Sequence, residues 1–112
     1  MIPDDAYLFE PPAAVPKSVH VVGRRWFQKS YGNTYFTADI YVDGELVHTL
    51  PKQYGYGDHY ADMAYTWLEE NNRAPMRIRH PNGGVQPAWQ VAQDYGFEFT
   101  YFAHDVRRER DL

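Results

Sequence analysis

The 112-residue chain contains no cysteine. Disulfides, thiolate metal sites and cysteine nucleophiles are thereby excluded. Its only serines are Ser18 and Ser30, both near turns, and no GxSxG elbow occurs. No stretch approaches the roughly 20 consecutive apolar residues that a bilayer-spanning helix needs. Cations are outnumbered by anions, 11 to 15, for a net charge of -4. That balance argues against wrapping duplex nucleic acid by charge alone, though it leaves room for a local basic strip. The five histidines, His20, His48, His59, His80 and His104, form no HxH or HExxH pattern. Neither a metal nor another cofactor is therefore expected. The opening MIPDDAYLFEPPAAVPK has neither the basic start nor the apolar run of a signal peptide. Together with the missing cysteine, this gives a cytoplasmic expectation.

Aromatic residues are abundant. They make up 17% of the chain as ten Tyr, six Phe and three Trp, against an ordinary charged fraction of 23%. Tyrosine has an apolar ring and a polar tip and tolerates being half wet. More tyrosine than one small core can hold points to rings on a recognition surface.

The length suits one domain. Residues 1–17 read as a proline-interrupted arm, with Ile2, Tyr7, Leu8 and Phe9 apolar enough to dock. Residues 18–106 form the domain, and 107–112 a charged, frayed tail. Val19 to Gln28 is rich in β-branched and aromatic residues and predicts a strand. A turn at residues 30–33 leads to a second strand over Thr34–Val42. Asp43-Gly44 is a two-residue hairpin signal, and Glu45–Leu50 returns as a third strand. The simplest register pairs Val42 with Glu45, Ile40 with Val47 and Asp39 with His48. Phe36, Ala38, Ile40, Val42 and Val47 then share a core face. Tyr35, Thr37, Asp39, Tyr41, Leu46, His48 and Leu50 share the other.

Pro51, Gly55 and Gly57 end the third strand, and Asp58 occupies an N-cap position. Ala61, Ala64, Tyr65 and Leu68 recur at helical spacing and predict a helix over about 59–71. Met76-Arg77-Ile78-Arg79 alternates like a short edge strand. Pro87 opens a second helix whose face carries Ala88, Val91, Ala92 and Tyr95, and Gly96 stops it. Phe97 to Val106 alternates as a last long strand that pairs with the first strand or with an edge of the hairpin sheet. The fold class is α+β, a twisted antiparallel sheet of about four strands in the order β-β-β-α-α-β, with two helices on one face.

Three readings of function follow. Tyr54 to Tyr60, YGYGDHY, works as a joint between strand and helix. Its alternative role is a site in which glycine amides approach a ligand beside Asp58 and His59, which makes a small enzyme the third reading. His104-Asp105 and Asp58-His59 are candidates to converge in space. The hairpin carries Arg24, Arg25, Trp26, Lys29, Tyr31, Asn33 and Tyr35, the mix of cations and rings that single-stranded nucleic-acid binders use. The first reading is a binding module that docks on a macromolecule, most readily a protein, through the rings of the hairpin, Trp26, Tyr31 and Tyr35, and of the 54–60 joint, Tyr54 and Tyr56. Exposed edge strands leave room for a homodimer without requiring one.

Over residues 24–60 the chain resembles a group of small uncharacterised bacteriophage and prophage proteins. The resemblance rests on Arg24-Arg25-Trp26-Phe27, Tyr31-Gly32-Asn33-Thr34-Tyr35, the Tyr41-to-Val47 hairpin and Tyr54-Gly55-Tyr56-Gly57-Asp58. It extends over the ending from Tyr95-Gly96 to Asp105-Val106 and to the charged tail closing in Asp111-Leu112. The chain departs from that group at Phe36, where histidine is commoner, and in a tail less uniformly rich in lysine. The resemblance implies a non-enzymatic phage accessory role in the host cytoplasm: binding a host or phage macromolecule, with inhibition of a host enzyme or defence complex as one form.

Overall fold

The structure, a computed structural model, describes residues 14–112. Residues 1–13 of the proline-rich arm, with Ile2, Tyr7, Leu8 and Phe9, lie outside the described residues. Three strands form a meander: β1 (Ser18–Gln28), β2 (Asn33–Val42) and β3 (Glu45–Tyr54). Helices α1 (His59–Glu70) and α2 (Ala88–Tyr95) follow, then strand β4 (Glu98–Val106). The order β-β-β-α-α-β and the α+β class are as the sequence predicts. The sheet order is β3-β2-β1-β4. β1, β2 and β3 pair antiparallel, but β4 lies parallel to β1, so the sheet is mixed rather than wholly antiparallel. The crossover through two helices is the long connection that a parallel neighbour needs.

The β2–β3 turn forms because Asp43 and Gly44 both adopt positive φ, 52° and 84°, the backbone that a tight hairpin requires. The Asp43 carboxylate also accepts the amides of Lys17 and Ser18 at 2.7 and 3.0 Å. These bonds tether the entry to β1 and hold the Asp43 pKa below its ordinary value.

Alternation sorts the strands into two faces. Val19, Val21, Phe36, Ala38 and Ile40 are buried against Tyr60, Ala61, Ala64, Tyr65 and Leu68 of α1, with Val91 and Ala92 of α2 completing the core. Val42 and Val47 pack at its margin. In α2, Tyr95 stays exposed rather than joining Val91 and Ala92. Gly96 ends that helix as expected.

Register shifts correct the hairpin. Val42 faces Glu45 as predicted, but an irregularity between Ile40 and Tyr41 sets Ile40 opposite His48 and Asp39 opposite Thr49. The extra residue moves His48 to the helix side, where its ring stacks on Trp67 at 4.5 Å and 5°. Leu50 likewise turns into the core. Nor does Pro51 end β3. The strand is at the sheet edge, where a proline leaves no partner strand without a donor, and it runs on to Tyr54 past a second shift.

Residues 76–79 form no strand; a lone bridge joins Arg79 to Val85. Arg77 instead turns inward. Its backbone amide, Nε and Nη2 all donate to the Glu69 carboxylate at 2.7–3.1 Å, and Arg79 reaches the same group at 2.8 Å. The Arg77 guanidinium also lies 5.2 Å from the Tyr65 ring, whose hydroxyl donates to the Pro75 carbonyl. The tail contains a 3-10 turn at Glu109–Asp111. No helix among the described residues is long and apolar enough to cross a membrane.

Candidate functional site: an aromatic row on the helix-free face

Both helices pack on one side of the sheet, and the opposite face presents rows of side chains fixed by register. One row contains the candidate site. Trp26 is paired with Tyr35, and Tyr35 with Tyr54, in consecutive strands. Trp26 and Tyr35 stack at 5.9 Å and 27°, and Tyr35 meets Tyr54 edge-on at 5.8 Å. Just past β3, Tyr56 continues the series, edge-on to Tyr54 at 5.5 Å. The Tyr54 hydroxyl donates to that of Tyr56 at 2.9 Å, a bond that raises the Tyr54 pKa. Each such ring pair contributes about 0.5–1.5 kcal/mol beyond area burial. Four rings from three strands and a loop therefore form one rigid surface. Tyr54 and Tyr56 are 51% and 60% exposed.

Two of the cations around this row, Lys52 and Arg24, are paired. Lys52 lies 5.7 and 4.8 Å from the Trp26 and Tyr35 rings and is bridged by Glu109 of the terminal turn. Arg24 shares the face and grips Asp39 with both terminal nitrogens at 3.0 and 3.1 Å, while its Nε donates to Thr37. Those bonds, with a smaller one from Thr49, hold the Asp39 carboxyl below its ordinary pKa against the effect of burial, and raise that of Arg24. Arg25, one residue on, points to the helix side. It bonds Asp105 at 2.9 Å and the Gly57 carbonyl at 3.1 Å, which fastens the 54–60 joint to β1 and β4.

The ten sequence-predicted residues therefore divide. Trp26, Tyr35, Tyr54 and Tyr56 come together. Arg24 is beside them but occupied by Asp39. Arg25 belongs to the joint. Tyr31 is 77% exposed at the tip of the β1–β2 turn, and Asn33, opposite Gln28, begins β2. Neither touches the row through an aromatic contact. Asp58 is at the N-cap of α1, but its carboxylate makes no cap hydrogen bond. His59 packs edge-on against Phe36 at 5.9 Å. His104 meets Phe102 on the outer face, so only Asp105 of that pair nears the joint. Among the described residues no group of His, Asp and Glu is arranged to hold a metal ion. Lys52 and Glu109 are participants that the sequence reading missed. Their signal was a lysine two residues before Tyr54 on an edge strand, obscured by treating Pro51 as its end.

The tyrosine excess is accounted for: Tyr31, Tyr54, Tyr56, Tyr95 and Tyr101 are exposed, and only Tyr60 and Tyr65 are buried among those described. Comparison with known proteins adds nothing to this geometry. No family model, curated protein or solved structure matches the chain.

Proposed function

We propose that the protein is a non-enzymatic binding module, a phage-type accessory factor, whose aromatic row docks on a protein of the host or phage. Inhibition of a host enzyme or defence complex is the form of action that such docking suits. The observation that carries this reading is a row of mutually braced rings, exposed at Tyr54 and Tyr56, whose flanking Arg24 and Lys52 are neutralised. Arg24 and Lys52 are already engaged by Asp39 and Glu109, so phosphate would have to displace a carboxylate from each. Rigid tyrosine and tryptophan surfaces, by contrast, supply contact area to a protein at low entropic cost.

The test uses the double variant Tyr54→Ala/Tyr56→Ala, whose side chains are exposed enough to leave the fold intact by circular dichroism. A host or phage protein captured by the wild type should lose at least about 2 kcal/mol of affinity, some thirtyfold, with the variant. Undiminished capture would refute the row as the docking site.

The second reading, a single-stranded nucleic-acid binder, draws on one cleft. Trp26, Phe27, Lys29 and Arg107 line it together. That reading expects a mobility shift with short single-stranded DNA or RNA at low salt, weakening steeply as salt rises. No shift at micromolar protein removes it.

A further inference from the structure

The two edges of the sheet are built differently. β3 presents Pro51, Lys52 and two register shifts along its length, the features by which edge strands avoid pairing with another chain. β4 has none of them. Its register against β1 runs without interruption from Ser18↔Glu98 to Trp26↔Val106, and EFTYFAHDV contains no proline, glycine or lysine. No described strand pairs with its other side. Exposed rings border it: Tyr101 is 42% and Phe102 56% exposed, and Trp89 of α2 shares a cleft with Tyr101.

We propose that this edge is the interface with a second copy of the chain, β4 against β4, antiparallel about a two-fold axis at Tyr101. The backbone is oriented for it. Glu98 donates its amide to the Lys17 carbonyl, so alternation turns the amides and carbonyls of Phe99, Tyr101, Ala103 and Asp105 to the open edge. The side chains are self-complementary in this register. Tyr101 meets its own copy, Phe99 opposes the small Ala103, and Glu98 opposes His104, the last two pairs occurring twice by symmetry. A parallel pairing in register would instead set Glu98 beside Glu98 and Asp105 beside Asp105, like charges opposed. The result is a continuous eight-stranded sheet. Its two aromatic rows lie on the same side, because an in-plane antiparallel join keeps both outer faces together. The inference does not depend on what those rows bind.

Sedimentation of the intact chain over about 1 μM to 1 mM, the range that brackets a small interface, tests it. The expected result is a reversible rise to twice the monomer mass. Glu98→Lys should weaken the dimer by about tenfold or more, and Glu98→Lys/His104→Glu should restore it, since an acid then again faces a basic side chain across the join. The chain has no cysteine, so Tyr101→Cys supplies a single reporter. Hydrogen-bonded antiparallel partners have Cα atoms about 5.5 Å apart, within disulfide reach. Tyr101→Cys should therefore oxidise to a covalent dimer much faster than Tyr31→Cys, which is more exposed but lies ten residues along the chain from Val21, the β1 partner of Tyr101. A monomer at every concentration overturns the proposal. So does a dimer indifferent to Glu98→Lys, or equal cross-linking of the two cysteine variants.

Discussion

Glu69 has 2% of its side chain exposed, enclosed by Arg77 and Arg79. Burial alone would favour its neutral form. The hydrogen bonds from Arg77 and Arg79 outweigh that and hold the Glu69 pKa below its ordinary value. Because the folded pKa is the lower one, the stabilisation is present above the unfolded carboxyl pKa, near about 4, and is lost as pH falls through the depressed value. Asp39, held down by Arg24, has the same sign. Stability should thus be flat from neutral pH to about 5 and decline below about 4, as urea titrations at stepped pH would show. Glu69→Gln leaves the Arg77 guanidinium, 5% exposed, buried without its anion. The expected loss is about 3–5 kcal/mol at pH 7, with a shallower acid decline. Gly23 is sensitive for a steric reason. A Cβ there would come within 2.6 Å of the Tyr60 ring, a side chain wedged in the core. Gly23→Ala should cost about 1–3 kcal/mol in the same assay.

At the scale of elements, the first turn of α1 separates position from interaction. Asp58 occupies the N-cap but bonds no backbone amide with its side chain. Asp58→Ala should therefore lower stability by less than the roughly 1 kcal/mol typical of a working cap, measured by thermal melting. The contrast marks what could be read from the sequence. The periodicity of β1, β2, β4 and α1, the Asp43-Gly44 turn and the Gly96 stop are local chemistry, and each is where the sequence places it. The row of Trp26, Tyr35, Tyr54 and Tyr56 was legible as residue types but not as an assembly. Its alignment needs the register of three strands, including the shift between Phe36 and Ala38. His48 was misplaced for the same reason: one unpaired residue reverses a side chain, and no local signal marks that residue. Arg77 fits an alternating edge-strand pattern by type, but the buried carboxylate that captures it lies eight residues back on a helix.

For the whole molecule, the sheet combines near and distant pairings. β1 meets β2 across a short turn, from Gln28↔Asn33 outward. β1 meets β4 only across 80 residues, as His20 does when its ring bonds Thr100. Closing the longer loop costs more entropy before any contact offsets it. The β1–β2–β3 meander with α1 should therefore be formed in the folding transition state, and β4 should dock after it. Substitutions then divide by location. Ile40→Val, in the meander core, should destabilise by about 0.5–1.5 kcal/mol, mostly as slower folding. Phe99→Ala, which removes a β4 ring packed on Tyr65, should cost about 2 kcal/mol, mostly as unfolding some tenfold or more faster with folding little changed. Stopped-flow chevrons of the two variants separate the limbs. A Phe99→Ala variant that folded slowly while unfolding at the wild-type rate would place the distant pairing first and reverse the order.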